Sequence, residues 1–137
     1  MVTICDTGPL LAYLNRNDPH HAWAVALMKQ VRPPMLVSEP VLTEVVYFLR
    51  EDGVAVEPLF QLLERKAVRL EFDMSAHWSR IRILMSRYRQ MDLADASIVV
   101  MSELQVRSQV LTIDRRDFTV YRRNDRQVID FVAPPGA

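Results

Sequence analysis

Short apolar runs alternate with longer amphipathic stretches along this chain. Val2-Thr3-Ile4-Cys5 is the first run; it reads as a short buried strand that turns at Thr7-Gly8-Pro9. A short helix is predicted from about Pro9 to Leu14, with proline at an early helical position. Asn15 to Asp18 reads as a loop. Asp18-Pro19 has the form of an N-cap followed by proline, and predicts a helix from about Pro19 to Val31 that Pro33-Pro34 stops. Met35–Val37 is a second strand. Ser38-Glu39-Pro40 opens a helix from about Pro40 to Glu51, in which Val41, Val45, Phe48 and Leu49 keep helical spacing, and Asp52-Gly53 ends it. A helix over about Glu57–Lys66 and a strand over Val68–Phe72 follow. Helices are predicted over Ser75–Arg89 and Asp92–Leu104. In the first of these, Trp78, Ile81, Leu84, Met85 and Tyr88 form one stripe, expected to face the core. Val110–Ile113 and about Gln127–Val132 complete the strands, and the tail Pro134–Ala137 is expected to be loose.

Short strands separated by helices point to the α/β class, with a central, mainly parallel sheet of four or five strands covered on both faces. At 137 residues the chain is expected to form one domain, residues 1–133, with a core that needs no disulfide. The single Cys5 lies in the first strand and reads as a small core residue in a reducing compartment. No apolar stretch reaches the roughly 18–20 residues of a transmembrane helix. The N-terminus lacks a basic region, an apolar signal segment and a small-residue cleavage site, so the expected compartment is the cytoplasm.

Formal net charge is zero, so no whole-molecule field draws in a polyanion. The distribution says more. Nearly every basic residue is arginine, with lysine only at positions 29 and 66. Arg80, Arg82, Arg87 and Arg89 fall in one segment, and Arg115, Arg116, Arg122, Arg123 and Arg126 in another. Arginine suits bidentate contact with phosphate, so these segments are candidates for a polyanion surface; the plainer reading is a solvated face.

The chemistry lies in acids placed at element ends. Asp6 and Asp114 each follow a strand-like run. Glu44 lies in the second turn of one predicted helix and Asp95 in the first turn of another. Strand ends and helix beginnings share one edge of a doubly wound sheet, so residues far apart in sequence can converge there. A group of carboxylates repels itself and takes up protons unless a cation joins it. Hard divalent ions accept such oxygens, keep several waters and bridge to substrate phosphate. Each acid also has a plainer reading. Asp6 suits a turn or the cap of the Pro9 helix, Asp114 a turn, and Glu44 a solvated helix face, while Asp92 and Asp117 suit helix caps and Asp95 complements a helix dipole.

Four segments carry a resemblance. They are Cys-Asp-Thr-Gly-Pro-Leu-Leu-Ala-Tyr-Leu-Asn at 5–15, Ser-Glu-Pro-Val-Leu-Thr-Glu-Val at 38–45, Asp-Leu-Ala-Asp-Ala-Ser-Ile-Val at 92–99 and Leu-Thr-Ile-Asp-Arg-Arg-Asp-Phe at 111–118. In this order they resemble the PIN-domain ribonucleases, and most closely the VapC-type toxins of bacterial type II toxin–antitoxin pairs. The resemblance covers nearly the whole chain and implies a three-layer α/β/α sandwich. It implies that Asp6, Glu44, Asp95 and Asp114 hold Mg²⁺ or Mn²⁺ and carry the chemistry. Thr7 matches the hydroxyl beside the first acid and Thr112 the threonine of the Thr-x-Asp motif, with Asp92 and Asp117 in a supporting tier. It further implies endonucleolytic RNA cleavage, a homodimer and a cognate antitoxin, with Arg115 and Arg116 candidates to contact RNA. A nuclease of RNA processing and a catalytically silent interaction module are the alternatives within the family.

Other chemistries fit less well. A haloacid-dehalogenase-like phosphatase needs a second Asp two residues after the first, and that position is Gly8. A phospho-receiver domain wants an acidic pair at the first strand end and a lysine near the last. His20 and His21 point about 100° apart on a helix and do not chelate together. With only Gly8, Gly53 and Gly136 the chain has no Gly-rich phosphate loop. Tyr88 and Tyr121 are candidates to stack on a base, with a core or surface place the plainer reading.

Overall fold

The structure is a computed structural model that describes residues 1–136; Ala137, the end of the expected loose tail, lies outside them. The described strands are β1 (Val2–Cys5), β2 (Met35–Val37), β3 (Val68–Leu70), β4 (Ser108–Leu111), β5 (Arg122–Arg123), β6 (Gln127–Val128) and β7 (Phe131–Val132). Five of them form one sheet in the order β3-β2-β1-β4-β7, and every pairing in it is parallel. The helices are α1 (Thr7–Leu14), α2 (His21–Gln30), α3 (Glu39–Glu51), α4 (Glu57–Glu64), α5 (Trp78–Arg87), α6 (Leu93–Leu104) and α7 (Arg115–Val120).

Strand order reverses at β1. The chain builds outward through β2 and β3, then returns to add β4 and β7 on the other side. Open α/β sheets bind ligands in the crevice beyond the C-terminal strand ends at such a reversal. β1 and β4 pair in register from Val2–Ser108 to Cys5–Leu111, so both chains leave the sheet together. The Asp6 amide then donates to the Leu111 carbonyl at 2.9 Å.

Burial explains why the central runs lack alternation. All of β2, and Thr3, Ile4 and Cys5 of β1, are buried, as expected of parallel strands covered on both faces. α6 lies against β1 and β4, and its Ala96, Ile98, Val99 and Val100 are each at most 2% exposed. A helix buried on nearly all sides is apolar on nearly all sides.

Several boundaries differ from expectation, each for a local reason. α1 starts at Thr7 rather than Pro9 because the Asp6 carboxylate caps it. α2 starts at His21 because Asp18 accepts from the His20 amide and closes a turn instead. The predicted 75–89 helix is interrupted: Asp73 caps a 3₁₀ turn at Met74–Ala76, and α5 begins after it. Ile81 and Leu84 are the buried members of that stripe, whereas Trp78 and Met85 are exposed. Phe48 is likewise exposed on α3, beside buried Val41, Val45 and Leu49.

The C-terminal region departs most. β4 ends at Leu111, two residues short of the predicted end. The single strand expected over 127–132 is two: β6 pairs antiparallel with β5, and β7 pairs with β4. The β5–β6 turn needs positive φ at Asn124 and Asp125, residues that tolerate it. Glu103 accepts from the Asn124 amide, and Arg80 and Arg87 both hold the Asp125 carboxylate. Pro134, in the segment expected to be loose, is buried, and its carbonyl accepts from Arg115 at 3.2 Å.

Candidate active site

Asp6 leaves β1 directly into the crevice and is 8% exposed. Its Oδ1 accepts from the Thr7 amide and its Oδ2 from the Thr112 hydroxyl, each at 2.8 Å. The Thr112 hydroxyl accepts in turn from the Asp114 amide at 3.0 Å. Asp114 caps α7, with Oδ1 accepting from the Asp117 amide at 3.1 Å. One threonine thus fixes both strand-end acids. The Thr7 hydroxyl donates to Glu44 Oε1 at 2.6 Å and draws α3 to the same place.

Gly8 has a packing reason to be glycine. A Cβ there would lie 2.5 Å from Ile113 Cγ1, so the segments following β1 and β4 touch with no room for a side chain.

α6 brings the next pair. Asp92 caps the helix by accepting from the Asp95 amide at 2.8 Å. Asp95 Oδ2 accepts from the Tyr121 hydroxyl at 2.7 Å. The acids feel one another. Burial pushes the Asp6 carboxyl up to about 6, against the lowering pull of its two hydrogen bonds, and the charges of Glu44 and Asp92 add to the rise. Burial likewise pushes Asp95 up to about 7, opposed by the Tyr121 bond and reinforced by Asp92, Asp6 and Asp114. Asp117 is raised by burial and then by Asp114. The ion pairs among the described residues all lie elsewhere, so no arginine or lysine is in direct ion-pair contact with this set, although the Arg116 charge acts against the rise at Asp117.

Such a donor set fits one kind of metal. The described residues do not gather three His, Cys, Asp or Glu side chains closely enough to enclose a bare ion. The carboxylates of Asp6, Glu44, Asp95 and Asp114 are all hard oxygen donors. They suit a divalent ion that keeps several waters and takes one or two carboxylates, as Mg²⁺ does, rather than zinc in a closed cysteine–histidine site.

The arginines divide. Arg80 and Arg87 are paired with acids. Arg122 and Arg123 donate to backbone carbonyls. Arg115 donates to the Ala133 and Pro134 carbonyls and lies 5.8 Å from the Phe131 ring centre. Arg116 is different: with Gln90, Asp114, Asp117 and Val120 it lines an open cleft of about 590 Å³ beside the acids. Five of the nine arginines in the two segments are thus bonded within the protein, while Arg82, Arg89, Arg116 and Arg126 are exposed. Tyr121 takes the core place that was its plainer reading, and its bond to Asp95 is what sequence reasoning missed. Its side chain is fully buried, and no periodicity marks it as a partner of Asp95.

Comparison with known proteins bears on this geometry. The family model of the PIN domain matches residues 3–124. The chain belongs to the PIN-domain family. This PIN domain is 28% identical over 123 residues to Ribonuclease VapC26 of Mycobacterium tuberculosis (strain ATCC 25618 / H37Rv), covering 87% of this chain and 91% of that one. Its fold is shared with the crystal structure of Mycobacterium tuberculosis VapC20, a Sarcin-Ricin loop cleaving toxin. The TM-score is 0.68 at 20% identity, over 79% of this chain and 86% of the other. The three-layer α/β/α arrangement implied by the sequence is the fold of this chain. Among the described residues, no helix is long and apolar enough to cross a membrane.

Proposed function

We propose that this PIN domain is a divalent-metal-dependent endoribonuclease and the toxin of a toxin–antitoxin pair. The observation that carries the reading is Asp6: a buried carboxylate gripped by two donors at the sheet's reversal point, with acids and no cation around it. The likeness to Ribonuclease VapC26 along most of both chains supports RNA as the substrate. Asp6, Glu44, Asp95 and Asp114 would hold Mg²⁺ or Mn²⁺, which supplies Lewis acidity toward the phosphodiester and an acidified water. Thr112 keeps Asp6 and Asp114 in fixed relation, and Thr7 keeps Glu44 turned toward Asp6. Arg116 meets the incoming phosphate. A homodimer and a small antitoxin partner complete the proposal.

The test is cleavage of RNA oligonucleotides by the purified chain. Cleavage is expected with Mg²⁺ or Mn²⁺, to stop with EDTA and to return on adding excess ion. Internal cleavage that persists in EDTA would sink the metal requirement. Expression in a bacterial host is expected to arrest growth, and a co-expressed antitoxin to relieve it. RNA cleavage without arrest would place the chain among processing nucleases instead.

The two neighbouring arginines are expected to behave differently. Arg116→Ala raises KM for RNA several-fold and lowers the salt dependence of binding by about one counterion, with little change in melting temperature. Arg115→Ala lowers the melting temperature and leaves the salt dependence unchanged, because its guanidinium holds the C-terminal segment. Equal salt slopes for wild type and Arg116→Ala would remove Arg116 from the interface.

A further inference from the structure

We propose that Tyr121 is a positioning residue for Asp95: its hydroxyl holds one carboxylate oxygen so that the other is presented to the divalent ion. The inference rests on the metal-nuclease reading of the site. The Tyr121 hydroxyl donates to Asp95 Oδ2 at 2.7 Å, and among the described residues no protein group donates to Oδ1.

A free aspartate turns easily about its terminal torsion, where the energy wells are broad and two-fold. Asp95 is repelled by Asp92, Asp6 and Asp114, and that repulsion favours turning the carboxylate away. A donor behind Oδ2 opposes the turn. A neutral hydroxyl is suited to this task. A lysine or arginine there would hold the carboxylate as firmly but cancel the charge that attracts the cation. Second partners that orient a ligand in this way matter to a metal site nearly as much as the ligand does.

Tyr121 is itself held rigidly. Its side chain is fully buried, with ring centres of Tyr88 and Phe118 at 5.1 and 5.2 Å in edge-to-face contact. Its amide closes α7 by donating to the Asp117 carbonyl at 2.9 Å, and the next amide, of Arg122, donates to the Tyr88 hydroxyl at 3.2 Å. α7 therefore contributes at both ends: Asp114 caps its start and Tyr121 closes its finish. The helix couples the acid after β4 to the acid on α6.

The experiment is Mn²⁺ titration by calorimetry on wild type, Tyr121→Phe and Asp6→Asn, with melting temperatures of the metal-free proteins and the Mn²⁺ concentration that half-activates RNA cleavage. Tyr121→Phe keeps the ring and removes only the hydroxyl. The expected result is a Kd for Mn²⁺ weakened roughly tenfold or more. The half-activating concentration should rise in parallel, and the melting temperature should stay near that of wild type. A folded Phe variant with unchanged Kd overturns the assignment while leaving the nuclease reading intact. A Phe variant that loses its fold assigns the hydroxyl to stability and overturns it equally. Wild type that takes up no Mn²⁺, or that binds it as well after Asp6→Asn, overturns the metal reading and this inference together.

Discussion

Asp6→Asn is expected to lower RNA cleavage by roughly 10²–10³-fold, and to make the metal-free protein more stable rather than less. The first effect follows from losing an anionic oxygen where a divalent ion contributes several kcal/mol to the transition state, each ~1.4 kcal/mol being tenfold in rate. The second follows from burial. The Asp6 carboxyl is raised from its ordinary 3.8 to about 6 in the folded chain, so the fold binds this proton more tightly than the unfolded chain does. Below pH 3.8 both states hold the proton and nothing is lost. Between pH 3.8 and about 6 the unfolded chain ionises first, and stability falls with rising pH. Above that window the deficit is on the order of 2–3 kcal/mol. Asparagine carries no charge and escapes most of it, but its amide replaces one acceptor facing Thr112, so the net gain is about 1–2 kcal/mol. Urea melts in EDTA at pH 8 and pH 4.5 measure it. The variant should be the more stable at pH 8, with the gap closing at pH 4.5. A variant less stable than wild type at pH 8 would refute the burial argument. Cleavage at wild-type rates would refute the metal argument.

Asp6 was legible because three signals coincide on it: an apolar run, a following turn and a place at the strand end. Thr112 directly follows β4, and Glu44 lies in the second turn of α3 beside buried Val45. What was hidden has a common cause. α7 is six residues long, too short for helical periodicity to declare itself, and the β5–β6 pairing involves two residues on each side. Their placement depends on partners distant in sequence: Tyr121 on Tyr88 and Asp95, Asp125 on Arg80 and Arg87. Arginine content alone does not separate the two uses of that side chain. An arginine donating to Ser102 or Pro134 carbonyls looks in sequence like one aimed at phosphate. Trp78 shows the limit of a stripe: spacing put it with Ile81 and Leu84, but it opens the helix after an interrupting turn and is 53% exposed.

Phe118→Ala is expected to cost about 3–5 kcal/mol of stability, the range for deleting a buried aromatic side chain. Phe118 is 1% exposed and is the sole buried residue of α7. A helix of this length has almost no stability of its own, so the ring is what fastens it to the protein. Its loss leaves a void beside Tyr121, 5.2 Å away between ring centres, and frees the segment that carries Asp114, Asp117 and Tyr121. Cleavage should therefore fall by more than the unfolded fraction explains, because the native state itself holds those groups less well. Phe118→Leu refills most of the volume and should cost about 1–2 kcal/mol with activity largely kept. Urea melts at constant slope, read beside specific activity per folded molecule, separate the two effects. This substitution moves opposite to Asp6→Asn, which removes chemistry while relieving the fold. A Phe118→Ala protein as stable as wild type would show that α7 is fastened by something other than its one buried side chain.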